Sequence, residues 1–188
     1  MKLPAKIRGW FNPKANPEKL LANYIATDNK QALALLVEQF NLPLYHYLVS
    51  QSDKELAQDV LQTSWLKVMK VKESSKAHIN VKSWLFAIAR NTLIDELRRQ
   101  QRWQWQDVEQ QLLTGEPLEK TCELSDKLAK FNRVVNQLPF FQREVFILQQ
   151  EGFSLLEICQ LTDESFETVK SRLRYARTNI KKLMGPEL

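Results

Sequence analysis

Apolar residues recur in this chain at intervals of three and four, and that spacing constrains the fold more than any other sequence feature. Between Asp53 and Val71, for example, Ala57, Val60, Leu61, Ser64, Trp65 and Val68 fall on one side of a helix. Segments of this kind, amphipathic and charged, dominate the chain. No clear apolar/polar alternation of the β type occurs, and the 188 residues include only four glycines. The expected fold class is therefore all-α, and no internal repeat is apparent.

Helical segments are expected over 18–27, 29–50, 53–71 and 81–102, and again over 124–137, 139–150, 154–161 and 165–184. Residues 1–17, with Pro4, Pro13 and Pro17, read as an irregular N-terminal extension. The stretch 103–123 carries Gly115, Pro117 and several glutamines, which suits a linker better than a core element. The resulting architecture is two small helical domains, 18–102 and 124–188, joined by a flexible linker. Local chemistry supports several boundaries. Pro139 suits a helix start, where its missing N–H is not needed. Ser154 and Glu157 form an S-x-x-E capping box. Ser165 can cap the last helix, and Gly185-Pro186 can end it.

Composition removes several function classes. No apolar run of 18 residues exists to span a bilayer. The basic N-terminus is interrupted by Pro4, Lys6 and Arg8 and lacks the apolar core of a signal peptide, so a cytoplasmic location without membrane insertion is expected. Cys122, Cys159, His46 and His78 are isolated from one another, which leaves no local zinc spacing and suggests two reduced thiols. No nucleophile, acid–base pair or phosphate-binding loop assembles, so neither an enzyme nor a cofactor is expected. The net charge of +5 is modest, but cations bunch at Arg98–Arg102 and Lys170–Lys182. Such bunching suits either a polyanion or a solvated surface.

The short helix 154–161, the T-D-E link and the longer basic helix after Ser165 are the parts of a helix-turn-helix. Phe166, Val169, Leu173, Ala176, Ile180 and Leu183 should face inward. Thr168, Ser171, Arg172, Tyr175 and Asn179 lie opposite, flanked by Lys170, Arg174 and Lys182. Thr168, Ser171 and Arg172 suit base edges, whereas Lys170, Arg174 and Arg177 suit phosphate contact or packing. An amphipathic helix for a protein partner or an anionic membrane is the alternative. In helix 53–71 the outward face holds Asp59, Gln62, Thr63 and Lys70, with Leu66 among them and Met69 at its border. That pattern fits either a helix-docking surface or a single exposed leucine. In helix 81–102, Trp84 and Ile88 point toward a core, but Asn91, Asp95, Arg98 and Arg102 follow in the same direction. Trp103 and Trp105 come next, and aromatics beside cations are what single-strand binders use.

Four blocks of sequence then occur in order: D-V-L-Q-T-S-W-L-K at 59–67, W-L-F-A-I-A-R-N-T-L-I-D-E-L-R-R at 84–99, L-P-F-F-Q-R-E-V-F-I-L at 138–148 and E-T-V-K-S-R-L-R-Y-A-R at 167–177. Together they resemble bacterial sigma factors of the sigma-70 family, in the short extracytoplasmic-function (ECF) group. The resemblance implies a dissociable subunit that binds core RNA polymerase and promoter DNA and has no catalysis of its own. Residues 28–102 resemble region 2 and residues 124–184 resemble region 4. It further implies polymerase contact at Asp59, Gln62 and Leu66. Contact with the −10 element falls at Asn91, Asp95, Arg98, Arg99 and Arg102, with a base-capturing loop near Lys72–Asn80. The −35 element falls to Thr168, Lys170, Ser171, Arg172, Arg174 and Arg177. Members of the group are often restrained by an anti-sigma factor, so such a partner is also expected. The chain departs from the family at Asp163-Glu164, where a small apolar pair is usual. Asp tolerates the left-handed turn, and Phe166 is expected to supply the apolar contact. A stand-alone helix-turn-helix regulator and a protein-binding adaptor remain the competing readings.

Overall fold

A computed structural model of the chain describes residues 16–71, 80–101 and 123–184, which form helices α1 (Pro17–Thr27), α2 (Lys30–Gln51), α3 (Lys54–Met69), α4 (Val81–Gln101), α5 (Glu123–Asn136), α6 (Phe140–Gln150), α7 (Leu155–Thr162) and α8 (Phe166–Met184). The order and extent of the helices match the periodicity closely. Pro17 starts α1 rather than ending the extension, and the other helix ends shift by no more than two residues. Short polar side chains begin the helices as their chemistry demands. The carboxamide of Asn16 accepts from the Lys19 N–H, Asn29 from Gln31 and Ala32, and Asp53 from Leu56.

Helices α1 to α4 close around a core of Leu36, Phe40, Leu44, Tyr47, Leu48, Ala57, Val60, Val68, Leu85, Phe86, Ala89 and Leu93, all nearly inaccessible to solvent. The expected inward stripe of α3 is buried throughout. In α4 the core stripe is rotated from the expected direction. Leu85, Ala89 and Leu93 are buried, whereas Trp84 and Ile88 are half-buried at the core's margin. Pro43 lies inside α2 and cannot donate to the previous turn. Nearby, the Trp65 indole N–H donates to Asn41 at 3.0 Å and ties α3 to α2.

The second group is built on α6 and α8, with Val145, Leu148, Ile158, Val169, Leu173 and Ala176 at its centre. Four of the six residues expected to face inward from α8 are buried: Val169, Leu173, Ala176 and Ile180. Phe166 and Leu183, one at each end, are 43% and 45% exposed, so Phe166 does not supply the apolar contact expected of it. The capping box is formed, with the Ser154 hydroxyl accepting from the Glu157 N–H and the Glu157 carboxylate accepting from the Ser154 N–H. Asp163 adopts φ 56°, the left-handed conformation that an Asp in this turn can tolerate.

The two groups also pack on each other, α2 against α6 and α4 against α7. This contact has no periodic signal in the sequence. Phe86 of α4 meets Phe153 edge-on, ring centres 4.9 Å apart, and the Tyr47 ring centre lies 5.5 Å from that of Phe86. Among the described residues no helix is long and apolar enough to cross a membrane.

Phe40, only 1% exposed, sits where α2 crosses the core, and truncation there leaves a cavity that rigid neighbours fill poorly. Phe40→Ala is expected to lower unfolding free energy by about 3–5 kcal/mol, read as a shift of the urea midpoint at constant m-value.

Candidate nucleic-acid and polymerase interface

Three exposed helix faces carry the residues singled out in the sequence. On α3, Asp59, Gln62 and Leu66 lie along one exposed stripe, with Leu66 54% and Met69 46% exposed. Met69 continues that stripe into an open, largely apolar groove of about 490 Å³ between α1 and α2, lined by Tyr24, Leu33 and Val37. Sequence reasoning identified Leu66 but not the groove. A groove needs two further helices to be placed, so the sequence shows Met69 only as an apolar residue at the border of that face.

On α4, Asn91, Asp95, Arg98 and Arg99 are exposed. The Arg99 Nε–H donates to the Glu96 carboxylate at 2.7 Å, an exposed pair one turn apart, and Arg98 stands beside it. Arg102, Trp103, Trp105 and positions 72–79 of the expected base-capturing loop lie outside the described residues. Asn80 is described, and its amide donates to Glu157 of α7 at 3.3 Å.

On α8 the cations divide into two sets. Lys170, Arg174 and Arg177 are exposed. Lys170 makes only a loose contact of 3.8 Å with Glu167, while the Arg174 guanidinium lies over the Tyr175 ring at 5.1 Å. Arg177 donates to Gln149 of α6 at 2.8 Å. Thr168, Ser171 and Arg172 are half-buried and engaged within the fold. The hydroxyls of Thr168 and Ser165 are 2.8 Å apart, and the Ser171 hydroxyl donates to the Thr168 carbonyl. Arg172 pairs with Glu164 at 2.9 Å, and its guanidinium packs 4.6 Å from the centre of the Phe141 ring. Arg172 thus braces the turn between α7 and α8 against α6. The sequence does not reveal this, because Phe141 and Arg172 are 31 positions apart. Tyr175, 52% exposed on the same side of α8, joins the outward set.

Between the two helical groups lies a second constellation. The Glu144 carboxylate is fully buried and accepts from Tyr47 Oη–H at 3.0 Å, Arg90 Nε–H at 2.8 Å and Arg90 Nη2–H at 3.3 Å. Burial raises the Tyr47 phenol well above its usual range, and the adjacent Glu144 charge raises it further. For Arg90, burial works against the charged form, but Glu144 outweighs it and the guanidinium rises. Lys82 donates to the Glu151 carbonyl and lies 4.6 Å from the Phe153 ring centre. Burial lowers the Lys82 ammonium, with Glu151 and Glu157 opposing that fall. Gly152, next in the chain, adopts φ +88°, a conformation that favours glycine.

Comparison with known proteins places these faces in a family context. The model of sigma-70 region 2 matches residues 36–103, and that of sigma-70 region 4 matches residues 128–180. The RNA polymerase sigma factor SigV of Bacillus subtilis is 31% identical over 161 residues, covering 85% of this chain and 89% of SigV. The ECF RNA polymerase sigma factor RpoE of Cereibacter sphaeroides is 31% identical over 144 residues, covering 73% of this chain and 75% of that protein. Among solved structures, the sigma factor RpoE of Bartonella quintana, in complex with the anti-sigma factor NepR, aligns with TM-score 0.66 and 26% identity. That alignment covers 87% of this chain and all of RpoE.

The Glu157 carboxyl is held below the usual carboxylate range, first by the Ser154 N–H and then by its hydroxyl. Its stabilising effect is therefore fully present above the ordinary glutamate pKa and lost as pH falls through the lowered folded value. Glu157→Gln keeps a hydrogen-bond acceptor but loses the charge. It should cost less than about 1 kcal/mol at pH 7, given solvent screening. The deficit relative to the parent should vanish in acid, as urea titrations across pH would show.

Proposed function

Because the chain belongs to the sigma-70 family of RNA polymerase sigma factors, in its ECF group, we propose that the three exposed helix faces divide promoter initiation among themselves. The chain is a non-enzymatic initiation factor whose partners are core RNA polymerase and promoter DNA. In the proposed division, Asp59, Gln62 and Leu66 dock on the polymerase, with Met69 extending that surface into the adjoining groove. Asn91, Asp95, Arg98 and Arg99, with Arg102, engage the −10 element, and α8 reads the −35 element. Within α8, Lys170 and Arg174 supply phosphate contacts. Thr168, Ser171 and Tyr175 approach base edges. The observation that supports this assignment is that Asp59, Gln62 and Leu66, Asn91, Asp95, Arg98 and Arg99, and Lys170, Arg174 and Tyr175 are exposed on helices within a family match, region 2 for α3 and α4 and region 4 for α8. We place the work in the cytoplasm, where core polymerase and promoters are. An anti-sigma partner is a natural restraint, supported by the relative solved with NepR.

The physics of promoter opening suits this arrangement. Unstacking and unpairing a base costs a few kcal/mol, so the opened strand must be held by new contacts. Phosphate contacts are strong, salt-dependent and blind to sequence, whereas hydroxyl and aromatic groups on a helix in the major groove discriminate bases. Two modest DNA-binding units on one chain gain from effective concentration once both are seated. A stand-alone regulator would need only the second group, and the region 2 match over 36–103 has no place in it.

The direct test is run-off transcription with the purified chain, core polymerase and fragments covering the genome. Promoter-dependent transcripts are expected, and their absence from every fragment would refute the proposal. On a responsive promoter, Lys170→Ala and Arg174→Ala should each weaken binding alike on all −35 sequences and reduce the salt slope by about one. Thr168→Ala should instead change which −35 sequences are preferred.

A further inference from the structure

Two ion pairs involving α8 differ in what they leave free. Lys170 and Glu167 approach at 3.8 Å, and both side chains are well exposed. Water and salt screen such a contact, so Lys170 stays available to another anion. Arg172 Nη2 and Glu164 Oε1 are 2.9 Å apart, with side-chain exposures of only 22% and 31%. That attraction is less screened, and its length is that of a charge-assisted hydrogen bond. The rest of the Arg172 guanidinium is also taken up. It lies 4.6 Å from the centre of the Phe141 ring, and its Nη1 is buried with no hydrogen-bond partner among the described residues. A buried N–H without an acceptor costs free energy, so the ring and the carboxylate outweigh that cost where Arg172 now sits.

Glu164 is itself fixed by the turn that carries it. Its N–H donates to the Cys159 carbonyl at 3.2 Å as α7 ends, and the neighbouring Ser165 hydroxyl accepts the Thr168 N–H at 3.1 Å as α8 begins. With the backbone pinned on both sides, the carboxylate falls on Arg172, about two turns into α8. Both partners belong to the helix-turn-helix, so the pair is a property of that unit alone. A small apolar side chain at position 164 would leave Arg172 with no ionic partner there.

We propose that Glu164 is a specificity-determining residue of the −35 reader, which acts by holding Arg172 on the helix-turn-helix scaffold and withholding it from DNA. The proposal rests on the sigma-factor reading above. An arginine in the second turn of a recognition helix is the side chain best suited to the O6 and N7 acceptors of guanine. Leaving Glu164 for the DNA exchanges one set of acceptors for another, so the guanidinium gains little. The move also gives up the Phe141 ring and leaves Glu164 unpaired beside phosphates, where like charges repel. The retained position is therefore favoured in the complex as in the free chain. Without the Glu164 charge neither the ionic hold nor the repulsion remains, and Arg172 joins the base-reading set. One carboxylate in the turn thus decides which −35 sequence the same recognition helix selects.

The test uses the full chain with core polymerase on a responsive promoter whose −35 element is randomised, and the bound fragments are sequenced. Glu164→Gln keeps the size of the side chain and removes its charge. It should add a preference for guanine at one −35 position, by about five- to a hundredfold over the parent, which is the discrimination of one bidentate arginine contact. Arg172→Gln alone should lower thermal stability yet select the parent's sequences. Combined with Glu164→Gln it should abolish the new guanine preference. Arg172→Met, which still packs on the Phe141 ring, serves the same purpose if Arg172→Gln does not fold. Removing a repelling charge near DNA raises affinity on every sequence but picks no base, so a Glu164→Gln chain that binds tighter with the parent's preference would overturn the proposal. So would a guanine preference that survives the loss of Arg172, or a parent preference that Arg172→Gln or Arg172→Met alone removes. A parent chain that forms promoter-dependent complexes while the variants show any of these results refutes this proposal only. A parent chain that forms none refutes the sigma-factor reading, and this proposal with it.

Discussion

A fully buried carboxylate fixes how the two halves of this molecule meet. Glu144 has no water to solvate it, and its own helical group offers it no donor among the described residues. An unpaired charge in that position would be prohibitively unfavourable, so α6 must present Glu144 to Arg90 and Tyr47 or leave the contact altogether. The two-point geometry of the guanidinium on the carboxylate sets orientation as well as distance. Tyr47 in turn packs against Phe86, which packs against Phe153, so the polar and apolar parts of the contact share one column of side chains.

Seen this way, the basic character of the chain separates into cations that hold the fold and cations that remain available. Arg90, Lys82 and Arg172 are half-buried and Arg143 is buried, each with acceptors inside the protein. Arg98, Lys170 and Arg174 face solvent with weak or no carboxylate partners among the described residues. Only the second set can neutralise phosphates without dismantling structure. Net charge therefore says little about DNA binding here, whereas the placement of cations on α4 and α8 says a great deal.

What the sequence revealed follows the same division between local and distant effects. The α3 stripe, the Ser154–Glu157 capping box and the left-handed Asp163 depend on residues within one or two turns, so spacing rules suffice for them. The outward face of α3 is legible for the same reason, as polar positions opposite a buried stripe, whereas that of α4 shows only as polar residues following in the direction of Trp84 and Ile88. The α4 core was misaligned because Trp84 and Ile88 are large and apolar yet sit at the margin, while small Ala89 fills the centre. Phe166 and Leu183 share the apolar rhythm of α8 but lie at its two ends and stay exposed. Glu144 and Arg90 are 54 positions apart, and neither carries a periodic signal that would pair them. Arg172 looked like a free reader of bases because nothing local shows Phe141 waiting beneath it.

Glu157 shows how closely the local and the distant are joined. One of its oxygens, Oε2, accepts from the Ser154 N–H and hydroxyl and so starts α7, the first helix of the helix-turn-helix. The other, Oε1, accepts from Asn80, whose own Oδ1 accepts the Ser83 N–H and starts α4. A single carboxylate thus links the beginnings of two helices, one in each half. Each helix has its own cap, and the link is an addition to both. That link is one exposed hydrogen bond, a small quantity beside the buried charges at Glu144. The polar contact between the halves is consequently concentrated at α6, where Glu144 meets Tyr47 and Arg90.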